Sequence, residues 1–226
     1  MSAPAGPAPA LDPSSLTVAV LGGTGQQGRG LARRLALAGV PVVLGSRSAE
    51  RAAAAAAGLP DGVSGADNAA AAAAGDVVVV AVPWDGHRAL LAGLAGVLAG
   101  KVVVDCVNPL GFDEQGAYAL PVEEGSAAQQ AQALLPGSRV VGAFHHVSAA
   151  LLLDESVGSV DSDVLVLGDD RAATDLVQGL VGLFPGLRGV YAGRLRNAHQ
   201  VEALTANLIS VNRRYQAHAG LRVTDV

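Results

Sequence analysis

The stretch LTVAVLGGTGQQGRGLARRLALAG, residues 16–39, contains a strand, a glycine-rich turn and a helix in direct succession. LTVAVLGG is a short β-rich run that ends in glycine, which is typical of a buried strand. QQGRGLARRLALAG has leucines at helical spacing and stops at Gly39, which is typical of a helix end. The turn between them matches G-x-G-x-x-G. A lone match is weak, but this context indicates a dinucleotide-binding turn.

Each glycine of the turn has a mechanical role. Gly23 is expected to permit the tight turn, Gly25 to let the backbone approach a pyrophosphate, and Gly28 to let the helix pack closely on the strand. The helix N-terminus would offer free N–H groups and the positive end of its dipole to the phosphates. A glycine-rich turn without a ligand is the alternative interpretation. The turn residues predicted to bind the cofactor are Gly23, Thr24, Gly25, Gln26, Gln27 and Gly28.

The next strand ends in VVLGSRSAER, residues 42–51, where an acidic residue is missing. An NAD-binding domain usually has a carboxylate here that takes the ribose hydroxyls, and a carboxylate would repel a 2′-phosphate. Ser46 can instead donate a hydrogen bond, and Arg47 and Arg51 can pair with phosphate oxygens. With the Thr24 hydroxyl nearby, these residues favour NADP over NAD. The alternative is that both arginines are solvated helix residues.

Strands and helices continue to alternate up to about residue 144. DVVVVAVP is the clearest buried strand, since a continuous valine run is typical of a parallel strand covered on both faces. The alternation predicts parallel strands with right-handed crossovers and helices on both faces. The predicted fold class is α/β, a Rossmann-like doubly wound, mostly parallel sheet with a smaller C-terminal α/β unit that ends in a long helix. The predicted units are a flexible tail at 1–15, an NADP-binding Rossmann domain at 16–144 and a smaller C-terminal domain at 145–226.

Three local expectations complete this prediction. Residues 64–75, SGADNAAAAAAG, are expected to form a short helix because of their alanines. Residues 110–125 are expected to form a long polar loop. The final helix is expected to place an apolar stripe on one face. The stripe consists of Val201, Leu204, Leu208 and Val211.

The composition argues against several functional classes. The chain has 226 residues, half of them hydrophobic, and a net charge of -5, whereas a nucleic-acid surface is typically basic. One cysteine and no Cys/His ligand spacing argue against a disulfide framework and a metal site. The longest apolar run, VVVVAVPW, is far shorter than the roughly 20 residues of a membrane helix, and the N-terminus does not resemble a secretory signal. We therefore expect a cytoplasmic protein that binds small molecules.

Three strand exits are expected to form the nicotinamide side of a cleft, because ligands of parallel sheets bind beyond the carboxyl ends of the strands. They contain Val82, Pro83, Trp84 and Asp85, then Asn108, Pro109 and Leu110, then residues 145–149.

The candidates for proton transfer are few. The chain has no Tyr-x-x-x-Lys pair, since Lys101 is its only lysine, and no Ser-His-Asp order. His145 and His146 are the best titratable candidates, and a wall or cofactor contact is favoured over a general acid. The catalytic candidate, His145, is thus expected to position more than to exchange protons. Such a site suits direct hydride passage between two stacked cofactors.

Seven segments in this order resemble the coenzyme F420-dependent NADP oxidoreductases, from about Leu16 to the C-terminus. The resemblance implies reversible hydride transfer between the deazaflavin of F420 and C4 of the nicotinamide, with F420 in the cleft between the domains. It also implies 2′-phosphate contacts at Thr24, Ser46, Arg47 and Arg51, and a homodimer. The segments are GGTGQQGRGLARRLA, VVLGSRSAERA, AVPW, NPL, GAFHHVSAALLLD, VLGDD and AGRLRNAHQVEALTANLISVNRR.

The resemblance further implies which residues contact the deazaflavin. They are His145, Val147, Ala149, Asn197, Thr205 and Leu208. His199 and Ala203 depart from the family pattern, since archaeal members have an arginine and a serine there. Arg194 and Arg196 are candidates for holding the anionic tail of F420 instead.

Three other functions stay open. The first is an NADPH-dependent reductase of a small carbonyl or imine, although such enzymes usually have a longer helical domain with a lysine or another proton donor. The second is a ferric or flavin reductase. The third is a non-enzymatic NADP sensor, which would need no second cofactor pocket.

Overall fold

The computed structural model describes residues 15–226, so the predicted tail lies outside the described residues except for Ser15. Ten strands and eight α-helices are present in the described part of the chain. The strands are β1 (Val18–Leu21), β2 (Val42–Ser46), β3 (Val63–Asp67), β4 (Val77–Val80), β5 (Val102–Asp105), β6 (Leu110–Asp113), β7 (Gly116–Ala119), β8 (Arg139–Gly142), β9 (Ser162–Gly168) and β10 (Leu187–Gly193). The α-helices are α1 (Gln26–Leu37), α2 (Ala49–Ala56), α3 (Asn68–Ala74), α4 (Trp84–Leu98), α5 (Ala127–Leu134), α6 (Ala149–Leu153), α7 (Arg171–Gly182) and α8 (Ala198–Tyr215).

Eight strands form one sheet in the order β10-β9-β8-β5-β4-β1-β2-β3. All neighbouring pairs are parallel except β8 and β9, which are antiparallel. The predicted Rossmann-like, mostly parallel α/β fold is confirmed. Strands β9 and β10 of the expected C-terminal unit extend this same sheet, and the division at residue 144 stays a prediction.

Two apolar layers cover the two faces of the sheet. Alternate residues of β1 belong to different layers, with Val18 and Val20 in one cluster and Ala19 and Leu21 in the other. All four valines of β4 are buried. The prediction that this valine run is covered on both faces is therefore confirmed.

Two local predictions are wrong. Residues 64–75 do not form only a helix, because residues 63–67 are the edge strand β3, and α3 follows. A Cβ at Gly65 would lie 2.3 Å from the backbone of Ala52, so α2 packs directly on this strand and small residues replace the β-branched ones that signal a strand. The expected loop at 110–125 contains the antiparallel hairpin β6–β7, whose turn is closed by the Asp113 carboxylate accepting from the N–H groups of Gln115 and Gly116.

The long helix α8 follows a short 3₁₀ turn at Leu195–Asn197. Val201 and Leu208 are buried, Leu204 is half-buried, and Val211 is 37% exposed. The helix packs mainly against β7 of the hairpin and against α5, and its apolar face is covered over most of its length but not at its end. No helix within residues 15–226 combines the length and the apolar character needed to cross a membrane.

Candidate cofactor-binding site

The glycine turn joins β1 to α1 at the carboxyl edge of the sheet. The left-handed conformation falls at Gly22, with φ of +74°, and not at Gly23, which was predicted to permit the tight turn. Gly23 is required for a different reason, since a Cβ there would lie 2.8 Å from the Val20 carbonyl oxygen. A Cβ at Gly28 would lie 2.8 Å from the Gly23 Cα, as expected for close helix packing.

Gly25 is the one glycine of the motif that internal packing does not demand. A Cβ there would meet only the Gly22 carbonyl oxygen, at an ordinary 3.5 Å. It is exposed and caps α1 without a side-chain hydrogen bond, so the first N–H groups of the helix are free for a ligand. The absence of a side chain at Gly25 thus serves the close approach of an external group such as a phosphate.

A cavity of about 760 Å³ lies over this turn. It brings together three groups of predicted residues from different elements. It also includes Asp85 of the predicted exit of β4, and Asn68, which was not predicted from the sequence. The predicted residues in its lining are 24–27 of the turn, Ser46, Arg47 and Arg51 after β2, and Val82 and Pro83 after β4. The other strand-exit and α8 residues predicted to bind cofactor lie outside this lining.

Arg47 and Arg51 give the cavity its positive charge. Both are exposed, and neither guanidinium has an ion pair or side-chain hydrogen bond within residues 15–226. Ser48 caps α2 as its sequence suggested, accepting a hydrogen bond from the Arg51 N–H at 3.3 Å. The cap fixes the start of the helix while leaving both cations available for an anion.

A second group of predicted residues meets at the backbone of residues 144 and 145. The His145 carbonyl oxygen accepts hydrogen bonds from Asn108 Nδ2 at 2.8 Å and Thr205 Oγ1 at 3.1 Å. Gln27 Nε2 donates to the Phe144 carbonyl oxygen at 3.3 Å. Phe144 has φ of +63°, a conformation that a non-glycine residue holds only when its surroundings impose it. The glycine turn, the exit of β5 and α8 therefore fix this segment together.

The imidazole rings of His145 and His146 are buried. Burial lowers the pKa of each to about 4, and the neighbouring His145 lowers that of His146 further. Among the described residues neither ring nitrogen of His145 has a hydrogen-bond partner, while His146 Nε2 accepts from the Leu165 N–H at 3.4 Å. Neutral rings at pH 7 are suited to forming a wall or a contact rather than to donating protons.

We expect these rings to make the fold less stable in acid. An unfolded histidine takes up a proton near its ordinary pKa of 6.5, but the folded rings do so only near 4. Between these values the unfolded state binds more protons at these two residues, so their contribution to the free energy of unfolding falls as pH falls from about 6.5 to about 4. Glu202, whose pKa is raised to about 7 by burial, contributes with the opposite sign, so the contribution of a ring is measured as a difference between proteins. In denaturant unfolding across this range, His146→Gln should lose less stability than the wild type as the pH falls. The exposed His199→Gln is the control, and an unchanged pH dependence in His146→Gln would contradict the assignment.

The remaining predicted residues surround the second group. Val147 and Leu208 are buried, and Ala149 is the first residue of α6. Asn197 is exposed beside Gly193, where a Cβ would lie 2.9 Å from its Nδ2. Arg194 lies 3.9 Å from the Asp169 carboxylate, and both this pair and Arg196 are exposed. No group of three or more potential metal ligands occurs in residues 15–226.

A buried polar network lies beneath the strand exits and was missed from the sequence. His87 Nε2 is 2.6 Å from Asp105 Oδ2, and His87 Nδ1 is 3.0 Å from Gln130 Oε1. The Gln130 amide donates through Nε2 to Glu124, so its oxygen faces His87, and His87 Nδ1 must carry a proton. Burial opposes a charge on His87, but the Asp105 carboxylate outweighs it and raises the pKa of His87. A proton therefore lies between His87 Nε2 and Asp105 Oδ2, and the raised pKa of His87 favours the imidazolium form of this buried pair.

This pair joins two strand exits. Asp105 ends β5 and also accepts a hydrogen bond from the Val107 N–H at 3.0 Å. His87 lies in the first turn of α4, and its ring centroid is 5.5 Å from that of Trp84. Glu202 of α8 lies close by and accepts from the N–H groups of Ala127 and Ala128, while burial raises its pKa to about 7. No sequence pattern signalled the network, since its members come from four separate elements.

The fold and the turn define a dinucleotide-binding protein of the Rossmann type. A family model described as NADP oxidoreductase, coenzyme F420-dependent, matches residues 17–109. F420-dependent NADP reductases from Methanothermobacter marburgensis and Methanocaldococcus jannaschii are 39% and 35% identical over 223 residues, which is 93% of this chain and 99% of each relative. A solved structure of a candidate F420-dependent NADP reductase from Arthrobacter sp. FB24 has a TM-score of 0.80 at 29% identity, and covers 93% of this chain and all of its own. The chain belongs to the F420-dependent NADP reductase family.

Proposed function

We propose that this protein transfers a hydride reversibly between NADP(H) and coenzyme F420. The observation that carries the proposal is the placement of Ser46, Arg47 and Arg51 in the cavity over the glycine turn, with both guanidinium groups unpaired among the described residues. This arrangement suits a dinucleotide with an extra phosphate on its ribose. The family relationship supports F420 as the second substrate.

The residues present fit NADP(H). The turn and the free end of α1 would hold the pyrophosphate, and Thr24, Ser46, Arg47 and Arg51 would hold the 2′-phosphate. Gly25 leaves space for close approach of the backbone to a phosphate.

The side chains on the expected deazaflavin side suit a flat ring system, because they are mostly apolar or carry an uncharged imidazole. They are His145, Val147, Ala149, Thr205 and Leu208. His145, Val147 and Leu208 are buried in the structure, so binding of the ring would have to expose part of them. Asn197, Arg194 and Arg196 would lie further out, where the two exposed arginines would suit the anionic tail of F420. When bound, the two cofactors supply the redox chemistry themselves. The residues of this chain would bind the two cofactors, orient them and keep water away from them.

Lys101 disfavours reduction of a carbonyl or imine by this protein. Its Nζ donates to the carbonyl oxygens of Ala72 and Ala73, both at 2.9 Å, at the amino end of the sheet. The only lysine of the chain is therefore engaged in structure and does not act as a proton donor in the cleft. The assay described below distinguishes F420 reduction from reduction of a flavin or ferric iron and from a sensor role.

We further propose that the protein acts as a homodimer in the cytoplasm, with its cleft between the regions 16–144 and 145–226. The hairpin β6–β7 supports self-association, because Phe112 is 69% exposed and Tyr118 is 46% exposed in a chain with few aromatic residues. Exposed aromatic side chains are enriched at interfaces.

The proposal predicts that NADPH reduces oxidised F420 in the presence of the purified protein. The loss of deazaflavin absorbance measures the reaction, with FMN, ferric iron and a panel of small carbonyls as parallel acceptors. We expect F420 to be reduced and the other acceptors to react much more slowly. Normal NADPH binding with no reduction of F420 would refute the proposal, and preferential reduction of another acceptor would replace it.

A further inference from the structure

Asn68 lies beside the residues proposed to hold the 2′-phosphate. Strand β3 pairs in parallel with β2, and Ser46 is the register partner of Asp67. Asn68 follows immediately, so it stands next to Ser46 and Arg47 at the carboxyl edge of the sheet. It lines the same cavity of about 760 Å³ as these two residues and Arg51.

The polar atoms of the Asn68 side chain have no partner within residues 15–226. Its Oδ1 is completely buried without a hydrogen bond. A Cβ at residue 45 would lie 2.9 Å from this oxygen, so glycine at that position makes room for the amide. With Oδ1 enclosed against Gly45, the Nδ2 group is the polar end left to face the cavity, and it can only donate.

The other polar groups nearby leave this donor free. The Asp67 carboxylate is engaged in capping α3, where its Oδ1 accepts from the Ala70 N–H at 2.9 Å. Arg47 and Arg51 are cations and cannot accept a hydrogen bond. Asp85 is the one carboxylate in the cavity lining, and it belongs to α4 on the opposite wall. A donor beside two guanidinium groups matches an anionic oxygen.

We propose that Asn68 is a further specificity residue for NADP(H), and that its Nδ2 donates a hydrogen bond to the 2′-phosphate. A neutral amide supplies this donor without the negative charge that would repel the phosphate. The inference rests on the NADP-binding part of the proposed function and is independent of the second substrate.

Binding of NADPH and NADH to purified variants, measured by calorimetry without F420, tests the inference. Asn68→Asp should raise the Kd of NADPH by about tenfold or more, because it replaces a donor by a like charge, while the Kd of NADH changes by less than about twofold or falls. Asn68→Ala should raise the Kd of NADPH by a smaller factor, and it serves if Asn68→Asp does not fold. Asn207→Asp, an exposed substitution on α8 outside the cavity lining, is the matched control.

Equal rises for both nucleotides would overturn the inference, since they would place Asn68 at a part that NADPH and NADH share. Unchanged binding of NADPH in both variants would also overturn it. A wild-type protein that binds neither nucleotide would instead refute the proposed function, and the two failures are thereby distinguished.

Discussion

Replacing both Arg47 and Arg51 with glutamine should raise the Kd of NADPH by at least about thirtyfold and leave the Kd of NADH nearly unchanged. Each charge-assisted contact to a phosphate contributes about 1–3 kcal/mol, and two contacts about 2–6 kcal/mol. Both guanidinium groups line the cavity and are unpaired in the described part of the chain, so their removal breaks no internal ion pair. Calorimetry or nucleotide fluorescence measures both constants.

The matched control is Arg171→Gln, since Arg171 is exposed on α7 and does not line the cavity. It should change neither constant. An equal loss of NADPH and NADH binding in the double variant would contradict the 2′-phosphate assignment, because NADH carries no such group.

Replacing Asp105 with alanine should lower the free energy of unfolding by about 3–5 kcal/mol, the range for removing one partner of a buried ion pair. Both side chains of the His87–Asp105 pair are 0% exposed, so the remaining ring would lose its directly bonded carboxylate in a site closed to solvent. The Val107 N–H would also lose its acceptor. Urea unfolding of the wild type and the variant measures the difference.

Asp105→Asn is the matched control. An asparagine can still accept from Val107 through its oxygen and can donate through its nitrogen to a neutral His87 ring, which keeps its N–H toward Gln130. The loss should therefore be smaller, about 1–3 kcal/mol. Equal losses in the two variants, or a loss below about 1 kcal/mol in Asp105→Ala, would contradict an ionised pair.

The strands and helices that could be predicted are those whose hydrophobic pattern is contained in their own sequence. β1, the glycine turn and α1 are adjacent in the chain, so their pattern can be recognised together. The four valines of β4 predict a buried strand from the local sequence alone. β3 was missed because its stability comes from α2 packing on Gly65, which is a tertiary contact. The hairpin β6–β7 was missed because its residues lack a clear apolar alternation.

Some residues of the candidate site could be recognised in the local sequence, and others depend on the tertiary structure. Ser46, Arg47 and Arg51 lie within six residues of each other, so the absence of an acid there could be seen in the sequence. Asn68 belonged to a segment predicted as helix only, and its position beside Ser46 depends on the register of β3 with β2. The hydrogen bond between His87 of α4 and Asp105 at the end of β5 could not be predicted, because the two residues are distant in the sequence.

Direct passage of a hydride between NADPH and F420 is the property on which the proposed function depends most. The test is the reaction of oxidised F420, in ordinary water with the protein, with NADPH that carries deuterium at both C4 positions of the nicotinamide, since only one of the two C4 hydrogens is transferred as hydride. Mass spectrometry of the product measures where the label goes. We expect the product to be reduced F420 that carries deuterium. Two results would contradict direct transfer. One is F420 that stays oxidised although NADPH is bound, and the other is reduced F420 that carries hydrogen from water instead of deuterium.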